Sequence, residues 1–272
     1  MNWDELKVTG LCLNLPGPML LQHFSLKGAQ VNKVEPLMGD PLQAVYPKWY
    51  EEIHKDINVQ KLDLKQTQEI QKLKRLLQDS DIFITTARPK ALKKMGLGPD
   101  ELLEINPKLF HLGLIGHAHP HEDVPGHDLT YQAHSGILPD DGLPRSLFVD
   151  ILGTEMAWSE LLIALLEKKT GTIWHALESA AEKFRGPLEW GATKPKGILG
   201  GGSPFYQVYN TKNGRVAVAC LEPHFQKILC AEFGVKITVS YNELQEKFSK
   251  STAEDWHQWA LKHEVPMTKV LN

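Results

Sequence analysis

Four short apolar runs, Val8–Asn14, Val31–Glu35, Asp81–Thr85 and Leu109–Ile115, are separated by turn signals and by segments of helical spacing. This alternation constrains the fold more than any other feature. Strand-like runs that alternate with helices form a mostly parallel sheet with helices packed on it. Gln66–Gln78 carries the clearest helical pattern, with Ile70, Leu73, Leu76 and Leu77 on one face. Met19–Phe24 and Ala91–Met95 read as shorter helical pieces. The expected fold class is therefore α/β, with a Rossmann-like arrangement of the first half. No GxGxxG follows any of the runs, so a dinucleotide fingerprint is absent.

The pattern changes after residue 116. Residues 117–149 are rich in Gly, Pro, His and Asp and read as a loop region, the kind that carries function at strand ends in open α/β sheets. Asp150–Lys169 reads as a long helix with Leu161, Leu162, Leu165 and Leu166 apolar, stopped by Gly171. Residues 172–199 read as an irregular crossing segment with a short helix near Ala176–Lys183. Phe205–Tyr209 and Arg215–Cys220 are strand-like, and Asn213-Gly214 between them is a hairpin signal, because both turn residues must tolerate positive φ. Pro223–Phe233, Tyr241–Phe248 and Ala253–His263 read as helices, the last capped by Ser251 or Thr252. The expected layout is a large domain over 1–175, a crossing linker over 176–199, a small α+β domain over 200–265 and a tail over 266–272.

Composition excludes several classes. The chain has 272 residues, 42% of them hydrophobic and 23% charged, which suits a soluble large domain plus a small one. A net charge of −3 points neither to nucleic acid nor to an anionic membrane. No apolar run is long enough to span a bilayer, and no signal-peptide or peroxisomal pattern is present. Cys12, Cys220 and Cys230 are odd in number and scattered, which argues against a disulfide framework and for a reducing compartment. The expected location is cytoplasmic.

Three distant segments supply acid–base groups: Gly126-His127-Asp128, Asp150, and Leu221-Glu222-Pro223. A His and an Asp facing one carbon can remove a proton from one side and return it on the other, while a Glu holds the imidazole in one tautomer. Each residue also has a plainer reading. His127 is an ordinary loop histidine, Asp150 an N-cap, and Glu222 the residue before a helix-opening proline. At a helix N-terminus a carboxylate is stabilised as the anion, as a base requires. His117-Ala118-His119-Pro120-His121-Glu122-Asp123 packs three imidazoles and two carboxylates into seven residues. A Pro-containing loop of alternating ligands rarely fixes a metal geometry, so no metal site is expected there.

The motifs, taken in order, resemble those of the class III CoA-transferase superfamily (the CaiB–BaiF group) and, within it, the α-methylacyl-CoA racemases. Leu13-Asn14-Leu15-Pro16-Gly17-Pro18 resembles the family's first strand and Gly-Pro turn. Gly28 to Pro36 resembles its GADVIKVE strand, followed by Gly39-Asp40-Pro41. Leu62-Asp63-Leu64-Lys65, Ala87-Arg88-Pro89, Met95 to Pro99, Asn106-Pro107-Lys108-Leu109 and Gly200 to Tyr206 match further family segments. His127-Asp128-Leu129-Thr130-Tyr131 with Ser135-Gly136 is similar to the racemase branch; transferases usually have an aromatic residue at the His127 position.

This resemblance implies a Rossmann-like large domain, a small domain and an interlocked homodimer. It implies 1,1-proton transfer at the α-carbon of a 2-methylacyl-CoA or related thioester, with His127 and Asp150 as the two bases and Glu222 orienting His127 across the domains. The alternatives are a CoA-transferase in which Asp150 is the nucleophile, and an acyl-CoA-binding homologue without turnover. Arg88, Lys61, Asp128, Gly200 and Gly201 are the implied coenzyme A contacts, and no cofactor is expected beyond the coenzyme A of the substrate. The N-terminus of the helix starting at Asp150 is a candidate donor to the enolate oxygen. Lys33 and Glu35 read as mainly structural. By the same resemblance, the family's basic adenine loop is replaced by Asn58-Val59-Gln60-Lys61, and a tail shorter than the family's is expected beyond the small domain.

Overall fold

The apolar runs pair side by side into one six-stranded parallel sheet. In the computed structural model, which describes residues 2–139 and 141–271, these are β1 (Lys7–Leu11), β2 (Gln30–Glu35), β3 (Asn58–Lys61), β4 (Ile82–Thr85), β5 (Phe110–Ile115) and β6 (Gly171–Ala176). Their order is β3-β2-β1-β4-β5-β6, and every neighbouring pair is parallel. The chain builds outward from β1 to β3, returns to lay β4 beside β1, and builds outward the other way. The direction of winding thus reverses between β1 and β4, the place where open sheets of this order form a crevice.

Helices connect the strands: α1 (Pro16–Leu26), α2 (Pro41–Val45), α3 (Pro47–Ile53), α4 (Thr67–Gln78), α5 (Pro89–Lys94), α6 (Pro99–Ile105), α7 (Asp128–Ser135), α8 (Phe148–Leu166) and α9 (Glu178–Glu189). The period of two along β4 sorts its side chains between two cores. Ile82 and Ile84 pack with Leu20 and Phe24 of α1 and Ala157 and Leu161 of α8. Phe83 faces the other way, into Leu73 and Leu77 of α4, Leu92 of α5 and Leu102 of α6. The sheet is buried on both sides, which is why its strands read as continuous apolar runs.

A buried charge cluster anchors the end of β2. Lys33 Nζ donates to Glu35 Oε1 at 2.8 Å, to Asp40 Oδ2 at 2.6 Å and to His54 Nε2 at 2.7 Å. Lys33 and Glu35 are fully buried. His54 uses its other nitrogen toward the Tyr50 carbonyl at 2.7 Å, so Nδ1 carries the proton and Nε2 accepts. Burial, then the Lys33 charge, holds its pKa down, which agrees with a neutral ring. Asp40 Oδ1 accepts the N–H of Leu42, which caps α2, and the N–H of Asn14, which lies just beyond β1 at φ 65°. Among the described residues this is the one grouping of three metal-type ligands, Glu35, Asp40 and His54, and the Lys33 ammonium already supplies their cation.

Chain contacts divide the molecule after Arg185, within α9. The second unit contains β7 (Tyr206–Asn210), β8 (Arg215–Ala219), α10 (Pro223–Phe233), α11 (Tyr241–Phe248), α12 (Ala253–His263) and β9 (Met267–Lys269). Its sheet is antiparallel in the order β7-β8-β9, and its core joins Tyr209, Val216 and Val218 to Leu229, Leu244, Phe248 and Ala260 of the helices. Its third strand, Met267–Lys269, lies within the stretch read from sequence as a tail.

Other elements also depart from the expectations. Gly171–Ala176 is a strand rather than the start of an irregular crossing, because it pairs with β5 along its whole length, from Gly171 beside Phe110 to Ala176 beside Ile115. Asn58–Lys61, polar and at the sheet edge, is a strand where only a loop replacement was legible. The loop region 117–149 contains α7. No helix among the described residues is long and apolar enough to cross a membrane.

Candidate active site

Segments leaving the C-terminal ends of β1, β4 and β5 enclose a cleft of about 270 Å³ at the point where the winding reverses. Its lining includes Asn14 after β1, Thr86 and Arg88 after β4, Gly116 after β5, and His127, Tyr131 and Asp150 from the following segments. Three residues expected from sequence, Arg88, His127 and Asp150, therefore share one cleft although they span more than 60 positions. A second cleft of about 1010 Å³ adjoins it, with Leu13, Asn14 and Thr86 lining both. The larger cleft is mostly apolar, with Leu37, Met38, Leu62, Leu64 and Met95 in its walls and Lys65 and Lys94 among its few charged groups. Its size is that of a site for a drug-sized or larger ligand.

His127 is the N-cap residue of α7 and is exposed. Its N–H donates to Thr130 Oγ1 at 3.0 Å, and Thr130 Oγ1 donates back to the His127 carbonyl at 2.8 Å. This pair fixes the backbone of His127 and leaves the imidazole in the cleft.

Asp150 is not the cap of its helix. Helix α8 begins two residues earlier, at Phe148. The capping group is Asp128, from another segment: its Oδ1 accepts the N–H of Val149 at 2.7 Å and of Asp150 at 3.1 Å, while its Oδ2 accepts from Gln132 Nε2 at 2.5 Å. Asp128 is buried and uses both oxygens within the protein. That is a different role from the coenzyme contact expected of it. It also corrects two expectations about Asp150. The N–H groups of Val149 and Asp150 at this helix start are already taken, so neither is open to an enolate oxygen. And the helix does not hold Asp150 as a low-pKa anion: burial first, and the Asp128 charge second, push its carboxyl up from 3.8 to about 7.

The remaining predicted residues belong to other elements. Lys61 ends β3 and lines a separate hollow with Gln43, Tyr50, Glu51 and His54, on the side of the sheet edge. Gly200 and Gly201 belong to the second unit, in a tight turn over Ile198–Gly202 where Gly200 accepts from Lys196 N–H and Gly201 accepts from Gln207 Nε2. Glu222 is exposed in that same unit and stands before Pro223 as the N-cap residue of α10, without a side-chain cap. In the His-rich loop, His117 Nδ1 pairs with Glu178 Oε2 at 2.7 Å and His119 Nδ1 with Glu122 Oε1 at 3.1 Å, so these two rings turn to different carboxylates.

Tyr131 was missed as a site residue. It follows His127 by four positions, one helical turn, which places both on one side of α7, and Gly126 and Gly116 flank it in space. Glu122 also reaches the cleft.

Comparison with known proteins bears on this geometry. The model for CoA-transferase family III matches residues 4–272. An alpha-methylacyl-CoA racemase of Mus musculus is 29% identical over 231 residues, covering 72% of this chain and 61% of the relative. A probable fatty acyl-CoA transferase of Mycobacterium tuberculosis is 29% identical over 198 residues, covering 65% of this chain and 50% of the relative. The chain thus spans at most about three fifths of these relatives. In fold, a CAIB/BAIF family protein from Brucella suis superposes with a TM-score of 0.80 at 21% identity, over 99% of this chain and 84% of the other. A hypothetical protein from Mycobacterium tuberculosis gives 0.84 at 22% identity, with 99% and 84% covered.

Proposed function

This chain belongs to CoA-transferase family III, and on that premise we propose that it catalyses 1,1-proton transfer at the α-carbon of a 2-methylacyl-CoA or related acyl-CoA thioester. The observation that carries the reading is that His127 and Asp150 line one cleft while the Asp150 carboxyl sits near 7. Near neutral pH the Asp150 carboxyl can then serve as base or as acid, as a two-base inversion requires of it in its two directions.

The step begins with one base ionised or neutral and the other protonated. The Asp150 carboxylate takes the α-proton, the C–H electron pair passes into the enolate, and the His127 imidazolium delivers a proton to the opposite face. The reverse direction uses neutral His127 and protonated Asp150. No redox change occurs, and the protein is left with its proton moved from one base to the other. The coenzyme A portion of the substrate would occupy the larger adjoining cleft, with its apolar walls along the pantetheine and Lys65 and Lys94 near its phosphates. Arg88 lines the smaller cleft, two residues after Thr86, which borders both.

A second reading is CoA transfer through Asp150, which would attack the thioester carbonyl as the carboxylate and release the CoA thiolate. It is supported by the presence of the Asp150 carboxyl in a cleft beside Arg88, and by relatives that include a probable fatty acyl-CoA transferase. The two readings part on whether deuterium enters the α-carbon from deuterated water with no carboxylate acceptor present.

We also propose a homodimer in which Glu222 contributes to the His127 site. The resemblance to the racemase branch and the solvent exposure of Ile163 and Leu166 on the apolar helix α8 support a partner chain. Solution mass would decide it: a monomer at working concentration rejects this assembly.

A further inference from the structure

Enolate charge collects on the thioester oxygen, and a fixed donor at that atom is commonly the largest single contribution to such catalysis. Asp128 takes the N–H groups of Val149 and Asp150 at the start of α8, whereas the Tyr131 hydroxyl lies in the lining of the same cleft. Resting on the proton-transfer reading above, we propose that the Tyr131 hydroxyl donates a hydrogen bond to the thioester oxygen and is a catalytic residue of this site.

The geometry is specific to a tyrosine. Its ring is buried, 3% exposed, yet it lines the cleft together with His127 and Asp150. Two glycines of the same lining make room for it. A Cβ on Gly126 would lie 2.4 Å from Tyr131 Cε1, and a Cβ on Gly116 would lie 2.4 Å from the Tyr131 hydroxyl oxygen. Any side chain at either position displaces the ring. The far side is closed by His117, whose ring meets that of Tyr131 edge-on at 5.2 Å and 73° and is itself held by Glu178. Packing from three sides thus fixes the ring while its hydroxyl carries no side-chain hydrogen bond among those that set its ionisation. Burial first, and then the Asp150 charge, push the phenol up to about 12. It therefore stays a neutral O–H donor across the range in which Asp150 titrates. During the reaction the proton of that O–H remains on Tyr131; only the hydrogen bond strengthens as the oxygen gains charge.

The rival role is a donor to Asp150, and pH separates the two. The charged or titratable groups bearing on this corner are Asp128, Asp150, Arg88, Glu178, His117, His127 and Glu122. The test is Tyr131→Phe in the full chain, followed through α-proton exchange of a 2-methylacyl-CoA in deuterated water from pH 5 to 9. A donor to the enolate oxygen predicts a fall of about 10²–10³-fold in the pH-independent rate, the usual effect of deleting one such donor. The inflection assigned to Asp150 should stay in place, and so should the melting temperature. A retained maximal rate with the inflection moved upward would show that Tyr131 serves Asp150, and would overturn the proposal. So would a loss of less than about threefold, the scale of one weak net hydrogen bond.

A binding arm keeps the proposal testable if the wild-type protein exchanges no proton, an outcome that would reject the proton-transfer reading alone. Wild-type protein should bind the thioester more tightly than the thioether analogue, which lacks the carbonyl oxygen, and Tyr131→Phe should shrink that preference by about 2- to 10-fold. An unchanged preference would count against the donor role.

Discussion

Asp128 Oδ1 accepts the backbone N–H of Asp150 at 3.1 Å, and the same carboxylate is the charged neighbour that helps raise the Asp150 carboxyl to about 7. One residue therefore fixes the start of α8 and adjusts the acidity of the group presented from it. The two effects have separate consequences. The hydrogen bonds need an acceptor oxygen, whereas the pKa effect needs a negative charge.

Replacing Asp128 by Asn should keep the first and remove the second. The amide oxygen can still accept from Val149 and Asp150, while the negative neighbour is gone. The Asp150 pKa should fall toward, but not to, the ordinary aspartate value of 3.8, because burial is the larger cause and remains. A carbon-detected NMR titration of Asp150 in labelled protein reads this without any substrate. An Asp150 pKa unchanged or raised in Asp128→Asn would contradict the coupling. Asp128→Ala, which removes the cap as well, should cost about 0.5–2 kcal/mol of stability.

The raised carboxyl also makes a statement about folding. The folded state holds the Asp150 proton up to about pH 7, whereas the unfolded chain releases it near 3.8. Between these values the folded form binds more protons, so stability falls as pH rises through the window and levels off above it. Asp150→Asn lacks this dependence. The variant should match the wild type near pH 4 and exceed it increasingly up to pH 7.5. The ceiling is on the order of a few kcal/mol, reduced by the solvent that reaches the cleft. Denaturant unfolding at a series of pH values measures the difference; a gap that does not widen with pH refutes the buried-carboxyl account.

Lys33 is the cation of a cluster that holds Asp40, which in turn holds Asn14 at the wall shared by both clefts. Lys33→Met would leave Glu35 and Asp40 buried without their cation, and loss of one partner of such a group costs about 3–5 kcal/mol. Stability close to that of the wild type would show that water or another cation takes its place.

The sequence made the central strands legible because burial on both faces turns them into unbroken apolar runs, as in Ile82-Phe83-Ile84. It hid β3 because an edge strand such as Asn58-Val59-Gln60-Lys61 has one side in solvent and little apolar pattern. It hid β6 because six residues following a helix stop at Gly171 look like the start of a crossing until β5 is seen beside them. Helix α7 was masked by its polar stretch Asp128-Leu129-Thr130. The site was legible in part. Local motif resemblance pointed to His127, Asp150 and Arg88, and these meet in one cleft. The cap that Asp128 makes on α8 spans 21 and 22 positions, and no local pattern encodes a contact at that range. The same holds for Tyr131, whose place depends on glycines at 116 and 126 that the fold brings to its ring.

The central claim is that His127 and Asp150 exchange a proton at the α-carbon of an acyl-CoA thioester. The direct measurement is deuterium incorporation at that carbon of a 2-methylacyl-CoA in deuterated water, without any carboxylate acceptor. The account predicts incorporation by the wild-type protein and a loss of about 10²–10⁴-fold in both His127→Ala and Asp150→Asn, the usual cost of removing a positioned acid or base. Transfer of coenzyme A to a free acid with no deuterium at the α-carbon, abolished by Asp150→Asn and unaffected by His127→Ala, would contradict it.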